Sequence, residues 1–313
     1  MGKIASKYGI LQECNVTEYY SNGKIKNCKL KVANQIKINN LKVTPYFGAD
    51  QARRKDKSAL SFYQNGNLKA ISLAKQTLLK IKDNIYPAER ILFYQSGEIK
   101  CIFPLDSKIN GYWTEEDEYK LATKLKLKLS FVDLNNKIIN LRFYKNGKIK
   151  SITLWPQERI DLTTPVGPLT GRIGFELFEN GKLKSCEPAQ PTVITTPLGK
   201  ITVFDSQAAG INGDSNSLKF NSAGKLAGLK TEHNQFKIIS KETLKSELIK
   251  PTQQPHIFNL DIKLTFPIEI QFENNQIIFN QKQNKIFSFA NYLFKIKDYQ
   301  PTVSLNCSSC QVS

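Results

Sequence analysis

Apolar and polar positions along this chain fall into a ten-residue phrase that keeps returning. It reads "YYSNGKIKNC" from Tyr19, "FYQNGNLKAI" from Phe62, "FYQSGEIKCI" from Phe93, "FYKNGKIKSI" from Phe143 and "LFENGKLKSC" from Leu177, with a worn copy, "FNSAGKLAGL", from Phe220. Alternating apolar runs on either side of a turn dipeptide predict a β-hairpin. Each copy is fixed by its glycine: Gly23, Gly66, Gly97, Gly147, Gly181 and Gly224. Asn precedes the glycine at Asn22, Asn65, Asn146 and Asn180. Asn-Gly predicts a two-residue type I′ turn, which needs positive φ at both central positions. In that register Tyr63 faces Leu68, Phe62 faces Lys69 and Leu60 faces Ile71. The other copies then pair Tyr20 with Ile25, Tyr94 with Ile99, Tyr144 with Ile149, Phe178 with Leu183, Ile91 with Ile102 and Leu141 with Ile152. Leu68 and Ile71 would lie on opposite faces, because side chains alternate along a strand. Each hairpin is therefore expected to pack on both faces. The recurring Lys26, Lys69, Lys100, Lys150 and Lys184 would face an aromatic or Leu near the tip. A lysine there can lay its stem on that side chain and keep its ammonium in water.

A second phrase alternates with the first: "VTPYFG" from Val43, "TTPVG" from Thr163, "TTPLG" from Thr195 and a worn "IFPLD" from Ile102. Thr-Pro-x-Gly suits a tight turn, with Pro presetting φ and Gly closing it. The turn glycines are separated by 43, 31, 50, 34 and 43 residues. The hairpins are thus constant while their connections vary, and such units must stack side by side to bury their apolar faces. The longest gap holds "WTEEDEYKLATKL" from Trp113. Thr114 is a good N-cap and Glu115, Glu116, Asp117 and Glu118 fill the first turn, so one short helix is expected within about 112–124. After it, "KLKLKLSFV" reads as a strand from Lys124 and "LNNKII" as a further hairpin turn. "KETLKSELIK" from Lys241 reads as a short helix, and "FPIEIQFENNQIIF" from Phe266 as a hairpin turning at Asn274-Asn275. The expected fold is all-β: repeated β-hairpins in an extended, twisted, solenoid-like meander sheet with one short inserted helix. A β-propeller is the alternative, since a four-stranded blade spans about 40–45 residues. Residues 1–231 form the repeat region, 232–306 a β-rich C-terminal region and 307–313 a flexible tail.

Composition narrows the function classes. The 313 residues are 40% hydrophobic, enough for a folded core. No run approaches the ~18 apolar residues of a membrane helix, and the start lacks the apolar segment of a secretory signal, so a cytoplasmic protein is expected. The net charge is +18, from 45 Lys and Arg against 27 acids. That excess favours an anionic partner, whether nucleic acid, an acidic membrane face or an acidic protein. Only Arg53, Arg54, Arg90, Arg142, Arg159 and Arg172 are arginines, which weighs against base reading by bidentate guanidinium. The binding candidates are Lys24, Lys26, Lys148, Lys150, Lys182 and Lys184, which recur beside successive turns, and the pair Arg53-Arg54.

Candidate chemistry is sparse. Cys28 and Cys186 take the position held elsewhere by Ile71, Ile102, Ile152 and Leu229, so they read as small core hydrophobes. Cys101 takes a slot otherwise filled by Asn, Ala, Ser or Gly. His233 and His256 read as surface-loop residues without metal spacing. "INGDSNS" from Ile211 reads as a turn, and Cys307-x-x-Cys310 has redox or metal spacing without a second pair. The acids at 115–118 could supply a catalytic carboxylate pair, but helix capping accounts for them. No cofactor, metal or catalytic residue is expected.

The hairpin phrase resembles the variant MORN repeat of bacterial proteins, Tyr-x-x-Gly-Lys-Leu/Ile-Lys. The match covers Tyr19–Ile25, Phe62–Leu68, Phe93–Ile99, Phe143–Ile149, Leu177–Leu183 and Phe220–Leu226. The combination with Thr-Pro-x-Gly and "GYWTEEDE" also looks like that of a wider set of bacterial proteins. The resemblance implies a non-enzymatic β-meander scaffold that binds another protein or an acidic membrane surface. The spacing here is longer and less even than the family's repeat of about two dozen residues. Three functions are carried forward: a scaffold for a protein partner, a basic binder of nucleic acid or an acidic membrane, and an enzyme using the 115–118 carboxylates.

Overall fold

The computed structural model describes residues 2–38, 41–209, 216–256, 259–280 and 283–300. The chain divides into two compact units, each described by itself: Met1–Leu162 with Gly171–Lys184 and Gly210–Asp214, and Thr163–Thr170 with Ser185–Ala209 and Ser215–Ser313. The expected tail at 307–313 with its Cys307-x-x-Cys310, and the 211–215 part of "INGDSNS", lie outside the described residues.

Both units are antiparallel β. In the first, the strands Gly9–Tyr19 and Ile25–Leu30 form the first hairpin, and Gly2–Ser6 pairs with its outer strand. The next hairpins are Leu60–Phe62 with Leu68–Ile81, Asn84–Phe93 with Ile99–Phe103, and Val132–Phe143 with Ile149–Leu154; the strand Gly167–Leu177 follows. Successive hairpins join edge to edge. One row of paired residues crosses the strands as Cys28, Leu60, Ile71, Ile91, Ile102, Leu141, Ile152 and Phe175. Every member is at most 1% exposed, so this row is the spine of the core. The sheet is a meander that does not close into a barrel. Edge-to-edge pairing excludes the propeller, whose blades are separate sheets. Two hairpin arms return over the buried face, where Tyr86 packs edge-on against Phe143 and Phe131 against Phe175.

The second unit repeats the device. Leu183–Pro188, Leu218–Phe220, Leu226–Thr231, Ile268–Glu273 and Gln276–Asn280 align Cys186, Leu218, Leu229, Ile270 and Phe279 in one buried row. Asn234–Ser240 is flanked by Ser246–Ile249 and Tyr292–Asp298 in a smaller sheet. Among the described residues no helix is long and apolar enough to cross a membrane.

The hairpins stand where the phrase predicts, but their turns are of another kind. In every copy the residue three before the glycine donates its N–H to the carbonyl of the residue after the glycine and accepts from the glycine N–H: Tyr63 N–H to Asn67 O at 2.8 Å, and Gly66 N–H to Tyr63 O at 2.8 Å. That is a three-residue loop closed by a glycine bulge, not a type I′ turn. Only the glycines carry positive φ, from +76° at Gly23 to +107° at Gly97, and none of the four asparagines does. Each Asn serves through its side chain, whose Oδ1 accepts the N–H two residues on: 3.0 Å to Asn67 from Asn65, to Lys148 from Asn146 and to Lys182 from Asn180. The longer loop shifts the register near the tip. Phe62 pairs with Leu68, and Phe93 with Ile99, while the pairs Leu60–Ile71 and Ile91–Ile102 hold as expected. A bulge then brings Leu68 and Ile71 to the same buried face, so the odd spacing marks an extra residue, not burial on both faces.

Other expectations divide. The helix is Glu115–Leu121, capped by Thr114 as its sequence implied. "TTPVG" and "TTPLG" are tight turns, with the Thr196 hydroxyl donating to Gly199 O at 2.8 Å and accepting from Leu198 N–H at 3.1 Å. "VTPYFG" is not one: Pro45 and Tyr46 run beside Leu73 and Ser72. "LNNKII" is continuous strand, its Asn135 and Asn136 paired with Lys126 and Leu125. "KETLKSELIK" is a turn leading into the strand Ser246–Ile249, which pairs with Asn234–Ser240, so sheet pairing overrides its helical propensity. Ile268–Glu273 and Gln276–Asn280 form the late hairpin about Asn274-Asn275.

Candidate binding surface

The hairpin tips recur as a chemical unit. Three residues before the glycine, a tyrosine of one hairpin donates its hydroxyl to a carbonyl of the next. Tyr20 reaches Phe62 O, Tyr63 reaches Phe93 O, Tyr94 reaches Phe143 O and Tyr144 reaches Leu177 O, each at 2.8 Å. The fifth copy has Phe178 there and the sixth Asn221, which lack a phenol. Over these rings lie the recurring lysines. The ammonium of Lys26 is 5.8 Å from the centre of Tyr20, Lys69 is 6.0 Å from Tyr63, Lys100 is 5.8 Å from Tyr94, and Lys184 is 5.9 Å from Phe178. The expected cover is present, on the aromatic one residue further toward the tip.

Five residues before the glycine, the copies differ. Glu18 and Glu176 occupy the position in the first and fifth, Ser61, Leu92 and Arg142 in the second, third and fourth. Glu18 pairs with Lys26 and accepts from Asn27 Nδ2 at 2.6 Å; the Lys26 hydrogen bond holds its carboxyl below the ordinary range, with Lys69 adding a weaker field. Glu176 lies between two lysines, Lys184 at 3.0 Å and Lys150 at 3.7 Å. Lys69 and Lys100 have no carboxylate at ion-pair distance among the described residues. They flank a groove of about 350 Å³ whose lining includes Lys26, Ser61, Tyr63 and Leu92. Arg90 also lines it, with its guanidinium 3.5 Å from Asp106. Lys24, Lys148 and Lys182 are exposed and carry no ion pair among the described residues.

Arg53 and Arg54 are not part of this surface. Arg53 donates to Glu118 through Nε and Nη2 at 2.8 Å each, and through Nη2 to Glu89 at 2.7 Å. Arg54, 4% exposed, pairs with the same Glu89 at 2.7 Å and stacks on Tyr46. Lys57 pairs with Asp106, whose N–H reaches Glu89 Oε2 at 2.8 Å. This network fastens the helix to the sheet, and a lost partner would strand a buried charge. The acids at 115–118 are similarly structural, Glu115 only by its place in the first turn of the helix. Asp117 closes the capping box with Thr114, Glu118 accepts from Arg53 and from Trp113 Nε1, and Glu116 pairs with Lys120.

Among the described residues the remaining candidates do not gather into one site, although the Cys14 and Cys28 thiols are hydrogen-bonded to each other. Cys14, Cys28, Cys101 and Cys186 are buried free thiols. Burial pushes the Cys101 thiol up to about 12, although the Arg142 guanidinium opposes it, and pushes Cys186 up as well. His233 stands in a bend 3.7 Å from Glu232, while His256 ends the strand Thr252–His256 and is not in a loop. Sequence reasoning missed the tyrosine clasp and the replacement of Glu by Ser, Leu or Arg in the middle copies, five residues before the glycine. The second was visible in the aligned copies; the first depends on which carbonyl the adjacent hairpin presents. Searches of protein-family models, curated proteins and solved structures return no match for this chain.

Proposed function

We propose that this protein is a non-enzymatic β-repeat scaffold of the MORN-like kind, which presents its hairpin tips to another macromolecule, a protein. The tyrosine clasp carries the reading. It recurs at four successive junctions with the same 2.8 Å bond. Each clasp locks one tip against the next, so aromatic-lysine units repeat at every second strand, roughly 10 Å apart. A regular array of this kind suits an extended partner that is read at several points. The exposed Lys24, Lys148 and Lys182 favour a second reading, direct attachment to a nucleic acid or an acidic membrane.

Affinity isolation of partners from the source cells at low and at moderate salt separates the two. The scaffold reading expects a protein partner that stays bound at moderate salt. Loss of all bound material between about 50 and 200 mM salt is the signature of phosphate contacts and would replace it with the second reading.

A further inference from the structure

One junction between hairpins carries a carboxylate between its two tip lysines, and another has the lysines without it. At the junction of the fourth and fifth hairpins, Ser151 pairs across strands with Glu176, and that carboxylate lies between Lys150 and Lys184. At the junction of the second and third, Ala70 pairs with Leu92 in the same register. Lys69 stands where Lys150 stands, and Lys100 where Lys184 stands, each three residues after its glycine. The two lysines are held the same way, each over an aromatic ring. The one thing missing is the carboxylate, and its place opens into the groove of about 350 Å³. The same comparison holds toward the first hairpin. Asn27 pairs with Ser61 there, and Lys26 already has Glu18.

We propose that the seat above Leu92, between Lys69 and Lys100, takes a carboxylate from an acidic, extended segment of a partner protein. A Glu or Asp is favoured over a phosphodiester for three reasons. The equivalent internal ligand is a carboxylate. The floor, Ala70 and Leu92, suits the methylene stem of a Glu. The groove's arginine, Arg90, is already turned to Asp106. Seats along the tips repeat every two strands, roughly 10 Å, which matches every third residue of a segment in the extended polyproline II conformation, with three residues per turn at ~3.1 Å each. Acids three residues apart would thus reach the Leu92 and Ser61 positions together. This assignment rests on the scaffold reading and names the chemistry of its partner.

The test uses the whole chain and three fluorescent probes: a ten-residue peptide rich in Glu, its Gln counterpart and a single-stranded DNA ten-mer. Anisotropy should show binding of the Glu peptide and none of the Gln peptide. Leu92→Glu supplies the missing carboxylate from within, as Glu176 does, and should weaken the Glu peptide about tenfold or more, while Leu92→Gln leaves it within about threefold. Melting curves accompany each variant. Should Leu92→Glu lower the melting temperature, Lys69→Gln with Lys100→Gln provides the same loss by the opposite route. Unchanged affinity of the Glu peptide in these variants overturns the proposal. DNA binding that is stronger than peptide binding and falls with Leu92→Glu also overturns it, and assigns the seat to nucleic acid. A salt-resistant protein partner that ignores Leu92→Glu would retire the seat yet leave the scaffold standing, so the two readings fail separately.

Discussion

A tyrosine three residues before a turn glycine serves two ends here. Its ring lies under a lysine, and its hydroxyl reaches the neighbouring hairpin. Removing only the hydroxyl isolates the second role. Tyr94→Phe loses the bond to Phe143 O and should cost about 0.5–1.5 kcal/mol in urea unfolding. No loss would mean that the clasp adds nothing to stability. The ring and its lysine were legible in the sequence, because a single copy contains both. The clasp was not, since its acceptor is a carbonyl roughly 30 to 50 residues away, at a place set by sheet register. The cysteines were legible for the opposite reason: alignment of the copies puts Cys28 and Cys186 among core aliphatics. With Cys101 held at about 12, its thiolate is negligible at pH 8, so iodoacetamide should leave it unmodified in the folded protein and label it in urea. Rapid native labelling of Cys101 would contradict its burial. Glu18 gives a pH signature. Its folded pKa lies below the unfolded value, so its contribution is present above the unfolded pKa and is lost as pH falls through the folded one. Glu18→Gln should therefore flatten the acid limb of the stability profile, and an unchanged limb would mean that the Lys26 pair is not stabilising.

At the scale of the element, the phrase located its own six hairpins and misjudged how they turn. Asn-Gly is shared by two-residue and longer loops, and the distinction lies in the strands. Leu68 and Ile71 are an odd number of residues apart and both buried, which one flat strand cannot achieve without an inserted residue. That spacing was the available signal. The corrected turn changes what a mutation should do. Gly181 has φ +82° and open space where a Cβ would project, so Gly181→Ala meets only backbone strain, about 1–2 kcal/mol. Asn180 has ordinary φ and contributes one acceptor oxygen, which a serine, as at Ser96 in the third copy, also supplies, so Asn180→Ser should shift stability by less than about 0.5 kcal/mol. A type I′ turn would penalise both changes. Thermal unfolding of the two variants therefore distinguishes the turns, and equal losses would reject the glycine bulge. The segments misread as helix or turn, "KETLKSELIK" and "LNNKII", share another cause. Their local propensities are overridden by strands distant in sequence, and no short window contains that information.

For the whole molecule, the charge of +18 has to be divided before it can be interpreted. The six tip lysines named as binding candidates fall into two sets. Lys26, Lys150 and Lys184 answer to Glu18 and Glu176, and Glu176 has a side chain only 4% exposed. Changing those three to Gln leaves a buried carboxylate without its cations, which should cost about 1–3 kcal/mol and lower the melting temperature. Lys24, Lys148 and Lys182 stand in water beside the glycines, so their change to Gln should leave melting unaffected. Their effect on a heparin column then carries the functional information. If they serve only to keep the tips solvated and the sheet from pairing with others, retention at a given salt should hardly move, because the remaining cations still give a strongly basic protein. That is the expected result for a scaffold whose specific seat lies between Lys69 and Lys100. A clear drop in retention with an unchanged melting temperature would show that the exposed set is a polyanion-binding row, and would move the reading from a protein partner to a nucleic acid or an acidic membrane.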